Sequence, residues 1–153
     1  MDYRKLAEEL ADIKMKMVRF HGYGAIQSTT GGERFVLGYL ATHGGKAGPK
    51  EMAVAMNVST ARIAAILKQL EQKALVQRRR DPAVGRYTIV ALLESGTRQY
   101  KRNREEFYQS AAFLLEEMGE KDAREYVRLE HRMAEILRER ENRQNGKDRT
   151  DNE

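Results

Sequence analysis

Four arginines fall within nine residues, Arg78, Arg79, Arg80 and Arg86, with a single acid, Asp81, among them. Guanidinium groups crowded in this way repel one another, so the arrangement calls for an anion to face. Their planar fork of donors matches phosphate oxygens. A little upstream stand Thr60, Ala61, Arg62 and Ala65, followed by Lys68 and Gln69. Arginine makes two parallel bonds to a guanine edge, while alanine and threonine let the backbone approach closely and touch a thymine methyl. This is binding chemistry. Bond-breaking chemistry finds no foothold: the histidines His21, His43 and His131 are far apart, and no pair stands at metal-ligand spacing. The chain lacks cysteine, which excludes disulfides, thiolate metal sites and thiol redox sensing. No glycine-rich phosphate loop follows a strand. No catalytic residue, metal or cofactor is therefore assigned. A metal-dependent or small-molecule enzyme on a helical scaffold, or a metal sensor, is the alternative without a supporting motif.

The elements that must position these residues run from Pro49 to Gly96. Pro49 to about Met56 predicts a short helix with proline in its first turn, where the missing N–H costs nothing. Asn57-Val58 predicts a turn, and Ser59 stands where an N-cap belongs. Ile63, Ile66, Leu67 and Leu70 then repeat at 3-1-3 intervals as one apolar stripe ending near Lys73. Two short helices about a tight turn make a helix-turn-helix pattern. By themselves they are equally an αα-hairpin with a solvated outer face. The continuation favours the former. Gln77 to Arg80 predicts a strand, Asp81 to Gly85 has turn chemistry, and Arg86 to Leu92 returns as a β-branched and aromatic strand. A hairpin directly after a recognition helix is a wing.

These residues resemble the MarR family of winged-helix transcription regulators. Three patches carry the resemblance: Val58 to Arg62 running on to Leu70–Val76, Arg80-Asp81-Pro82 with Arg86, and Val90 to Gly96. With flanking helices it covers roughly residues 3–140. The sequence departs from the family pattern in the wing, where Val84 and Gly85 precede a single arginine and the acid that braces it is missing. It departs again at Ala74, usually glycine, and at Leu93, usually threonine. The resemblance implies a mainly α fold with a small β-wing: a winged helix-turn-helix DNA-binding domain over residues 32–96, and a helical dimerisation domain from residues 2–20 and 97–141. It implies a homodimeric, ligand-responsive repressor on a pseudo-palindromic operator. Its DNA contacts would come from Ser59, Thr60, Ala61, Arg62, Ala65, Lys68, Gln69, Arg78, Arg79, Arg80 and Arg86. A small aromatic or phenolic effector would sit against Tyr23, Phe35, Tyr39 and His21. The rival reading is a winged-helix module that contacts another protein without specific DNA binding.

Charge agrees with the first reading. Residues 50–104 carry twelve basic and four acidic side chains, whereas residues 105–153 carry nine and fourteen. The excess positive charge sits on the proposed reading head, the electrostatic footprint expected for nucleic acid. Elsewhere, Tyr3, Leu6, Leu10, Ile13, Met17 and Phe20 form a heptad seam that predicts packing against another helix, from this chain or a partner. Ser28 to Gly32 offers N-caps for a helix to Thr42, closed by Gly44 and Gly45. Lys46-Ala47-Gly48 predicts a short third strand. Two helices follow, Thr97 to about Met118 and Lys121 to about Arg140, separated by Gly119. Residues 142–153 lack apolar side chains and predict a frayed tail. No run approaches the ~20 apolar residues of a membrane span, and no cleavable leader is evident. A cytoplasmic protein of one domain is expected.

Overall fold

The structure, a computed structural model, describes residues 1–20, 31–80 and 88–150, with residues 145–150 by backbone alone. Contacts divide the chain into two units, residues 1–110 and 111–153. The first opens with α1 (Tyr3–Met17), whose N-cap Asp2 accepts from the N–H groups of Arg4 and Lys5 at 3.0 and 3.3 Å. No residue of the heptad seam predicted here is fully buried among the described residues: Leu6, Leu10 and Ile13 are about half exposed and Met17 is partly buried.

The winged helix is built from α2 (Gly32–Thr42), β1 (Lys46–Ala47), α3 (Pro49–Met56), α4 (Thr60–Gln72), β2 (Val76–Arg80) and β3 (Thr88–Leu92). β3 lies between β1 and β2, antiparallel to both, with Ala47 opposite Val90 and Arg78 opposite Val90 from the other side. The expected third strand is therefore present, two residues long. Val36, Leu37 and Leu40 from α2, Met52 and Ala53 from α3, Ile63, Ile66, Leu67 and Leu70 from α4, and Ala47, Val76 and Val90 from the sheet form one buried core. The four-residue stripe read from the sequence of α4 is wholly inside it.

Local chemistry fixes the joints. Pro49 begins α3 and Asn57 ends it in the left-handed region, φ 53°. Asparagine tolerates that conformation better than most residues. Ser59 caps α4, its Oγ accepting from the Arg62 N–H at 3.2 Å. After α4 the chain turns at Ala74, φ 54°, where the Leu75 N–H returns to the Leu70 carbonyl at 2.9 Å. This is the position at which the family usually has glycine, and a Cβ is strained there. Ala74→Gly is expected to stabilise the unit by about 0.5–1 kcal/mol, the relief of left-handed strain less the extra freedom of an unfolded glycine. A rightward shift of the urea midpoint at unchanged slope would confirm it.

α5 (Glu94–Met118) begins three residues earlier than Thr97, where the sequence predicts its start. Ser95 and Gly96 are poor helix formers, but Ser95 Oγ donates to the Ala74 carbonyl and the Leu93 N–H bonds the Leu75 carbonyl at 3.0 Å. Tertiary bonds thus start the helix inside a segment of poor propensity. Gly119, φ 78°, separates α5 from α6 (Glu120–Thr150). The predicted frayed tail from residue 142 is helical backbone to Thr150. Ion pairs one turn apart, Arg124–Glu120, Arg128–Glu125, Arg132–Glu135 and Arg143–Glu139, line this polar helix. In the second unit Phe113, Leu114, Met118, Val127, Met133, Ile136 and Leu137 all remain exposed. No helix among the described residues is long and apolar enough to cross a membrane.

Candidate nucleic-acid interface

The exposed face of α4 is set by its buried one. With about 100° between successive residues, the positions opposite Ile63, Ile66, Leu67 and Leu70 are Ala61, Ala65, Lys68 and Gln72. Arg62 and Gln69 flank this face on one edge, Thr60 and Ala64 on the other. Ser59, Thr60, Ala61, Arg62, Ala65, Lys68 and Gln69 are all exposed, as a reading surface requires. Ala64 and Gln72 share the face but are absent from the set expected from the sequence. The periodicity of the buried stripe is the signal that places them there.

The arginines of the wing do not act alike. Arg78 and Arg80 share one face of β2 with buried Val76, while Gln77 and Arg79 occupy the other. Arg78 is held by Glu71 of α4: Oε2 accepts from its Nε at 3.0 Å and Oε1 from its backbone N–H at 3.2 Å. Arg79 donates from Nε and Nη2 to Gln77 Oε1 at 3.0 and 2.7 Å, a neutral partner, and has no charged partner among the described residues. Arg80 is exposed and has no charged partner among the described residues. Arg86, with the turn from Asp81 to Gly85, lies outside the described residues. Lys73, at the end of α4, is tied to Glu33 of α2 at 2.6 Å. On α5, Arg98 is paired with Glu94 at 2.6 Å, and Arg102 donates to Gln99 at 2.8 Å.

α2 and the first half of α5 line an open cavity of about 610 Å³ within the first unit. Phe35 and Tyr39, two of the four residues to which the resemblance assigns an effector, line it. His21 and Tyr23 lie outside the described residues. The sequence reading missed Arg34, Tyr100, Asn103, Arg104 and Phe107 in the same wall. The i, i+3, i+4, i+7 spacing of the last four on α5 is the signal that could have found them; as a sequence the segment reads as a basic surface. Arg104 lies over the rings of Tyr100 and Tyr108, 5.6 and 5.2 Å from their centroids, and donates to the Tyr108 hydroxyl. That bond holds its pKa above the usual guanidinium value. Arg34 pairs with Glu106 at 3.0 Å, and its Nη1 is buried without a hydrogen-bond partner among the described residues.

Tyr39 links this cavity to the reading head. Its hydroxyl donates to Glu51 Oε1 at 2.7 Å, and Glu51 Oε2 accepts from the Gly48 N–H at 3.3 Å, capping α3. The phenol bond, then the backbone bond, depress the Glu51 pKa; the same phenol bond raises that of Tyr39. A depressed carboxylate contributes stability that is complete above its ordinary value of 4.5 and is lost as pH falls through the lower folded value. Native chain should therefore exceed Glu51→Gln in stability at neutral pH, with the difference closing only below pH 4.5 in paired melts. A gap that persists in acid would show that the charge of Glu51 is irrelevant.

Residues 29–86 match the sequence model of the MarR family. The chain carries a MarR-family winged helix. No curated protein matches it. Among solved structures it is similar to the YusO protein of Bacillus subtilis, at 19% identity and a TM-score of 0.66, covering 87% of this chain and 94% of that one. MepR, a transcription regulator of the Staphylococcus aureus multidrug efflux pump MepA, is 20% identical with a TM-score of 0.65, covering 86% and 97%. The PcaV transcriptional regulator of Streptomyces coelicolor is 18% identical with a TM-score of 0.66, covering 90% and 98%. At such identities the likeness is one of fold. It extends beyond the matched winged helix to most of the chain. No group of three or more His, Asp or Glu side chains among the described residues is placed to hold a metal ion.

Proposed function

We propose that this MarR-family chain is a sequence-specific DNA-binding transcriptional regulator that acts as a homodimer in the cytoplasm. One observation carries the reading: a capped helix with an exposed Ala61–Ala65–Lys68 face stands beside a strand whose Arg79 and Arg80 have no charged partner among the described residues. A helix of this kind enters a major groove with its N-terminal residues towards base edges, and the wing reaches the flanking backbone. Two-fold symmetry would place half-sites about one helical turn, ~34–36 Å, apart on a pseudo-palindromic operator.

Dimerisation is supported by apolar surface that the single chain leaves exposed, on α1 in the first unit and along α5 and α6 in the second. The cavity lined by Phe35 and Tyr39 supports a small aromatic or phenolic effector that relieves repression. Such a ligand acts only through different affinities for DNA-competent and DNA-incompetent conformations. Among the structures of similar fold is a MepR-like protein complexed with pseudoligands, which agrees with a ligand-responsive reading.

Selection from random duplex DNA at two salt concentrations tests the reading. An enriched inverted repeat is the expected result. Salt-sensitive binding without an enriched motif would reduce the protein to a non-specific DNA binder. Absence of binding at low salt would overturn the DNA reading in favour of a protein partner.

A further inference from the structure

The arginines of the wing offer the strongest inference beyond this assignment, and it rests on the DNA reading. Glu71 spans the junction between recognition helix and wing with every acceptor it has. Its carbonyl takes the Ala74 N–H at 2.9 Å, Oε1 takes the Arg78 N–H at 3.2 Å, and Oε2 takes Arg78 Nε at 3.0 Å. The first bond shapes the turn that ends α4; the other two fix both the backbone and the side chain of one residue of β2. Arg78 is also registered against Val90, which is fully buried, so the strand cannot shift without disturbing the core. A DNA phosphate approaching the Arg78 side chain meets the negative charge of a carboxylate that already occupies its Nε. Arg79 and Arg80 face no such competitor among the described residues.

We propose that Glu71 is a positioning residue that locks the wing to the recognition helix through Arg78, leaving Arg79 and Arg80 to carry the phosphate contacts of β2. The division separates two roles that the sequence lumps together, since Arg78, Arg79 and Arg80 are adjacent and chemically identical. It also accounts for a wing that lacks the family's bracing acid: the brace comes from the helix instead of from the hairpin.

Salt dependence distinguishes a phosphate ligand from a brace, because each phosphate contact adds about one to the slope of log affinity against log salt. The experiment compares native chain with Arg78→Ala, Arg79→Ala, Arg80→Ala and Glu71→Ala on the duplex selected above. Arg79→Ala and Arg80→Ala should each flatten the slope by about one. Arg78→Ala should weaken binding about tenfold at unchanged slope, and Glu71→Ala should weaken it comparably, with the double variant no worse than either single one. The direction for Glu71→Ala is decisive: if this acid had no positioning role, its removal from beside a polyanion would strengthen binding. A flattened slope in Arg78→Ala, additive losses in the double variant, or tighter binding by Glu71→Ala overturns the inference while the DNA reading stands. Failure of the native chain to bind duplex at low salt overturns both.

Discussion

Gly96→Ala is expected to destabilise the winged helix by about 3 kcal/mol, the upper end of the usual cost of overpacking. Gly96 is buried in the first turn of α5, where that helix crosses the turn leading from α4 into β2. An added Cβ would run into the Leu75 carbonyl oxygen, lying 3.1 Å from its carbon and 2.7 Å from Leu92 Cδ1. The obstacle is backbone on one side and a side chain packed against the core on the other. The Leu75 carbonyl cannot retreat freely, since it accepts from the Leu93 N–H at 3.0 Å, and the Ser95 hydroxyl holds the neighbouring Ala74 carbonyl. Relief therefore requires α5 to lift from the sheet, breaking the bonds that start it. Urea unfolding of native and variant chains measures the loss. A midpoint unchanged within error would mean that α5 can pivot about Gly96, and the joint would then be a hinge.

The other large effect concerns recognition. Arg62→Ala is expected to cost about 1–3 kcal/mol on the selected duplex, concentrated at one guanine per half-site, and little on random sequence. Arg62 stands at the end of the first turn of α4, exposed, on the edge it shares with Gln69, with no ion-pair partner among the described residues. Its backbone N–H is occupied by Ser59 Oγ, which fixes the helix start and with it the direction of the side chain. Competition binding against duplexes varied at each position separates the outcomes. A loss equal on selected and random DNA would reassign Arg62 to phosphate contact and leave base reading to Gln69 and Gln72.

Much of this architecture is written locally. The 3-1-3 repeat of Ile63, Ile66, Leu67 and Leu70 sets which face of α4 is buried, and therefore which face is free. Ser59 at the N-cap, Pro49 in the first turn and Gly119 between the last helices mark boundaries because each acts through its own backbone conformation or its nearest neighbours. Composition alone placed the positive charge on the reading head. These signals need no knowledge of distant residues, so a single sequence displays them.

What the tertiary structure alone decided depends on partners far along the chain. The start of α5 at Glu94 rests on bonds from Leu75 and Ala74, some twenty residues away in sequence, which override the poor propensity of Ser95 and Gly96. The cavity wall needs α2 brought against α5, so Arg34, Asn103 and Arg104 join Phe35 and Tyr39 only once the chain is folded. The unequal fates of Arg78, Arg79 and Arg80 follow from the two-residue alternation of a strand and from which side meets Glu71. Adjacent residues of one type carry one chemistry in sequence. Burial, register and the nearest counter-charge, which are properties of the fold, give them different work.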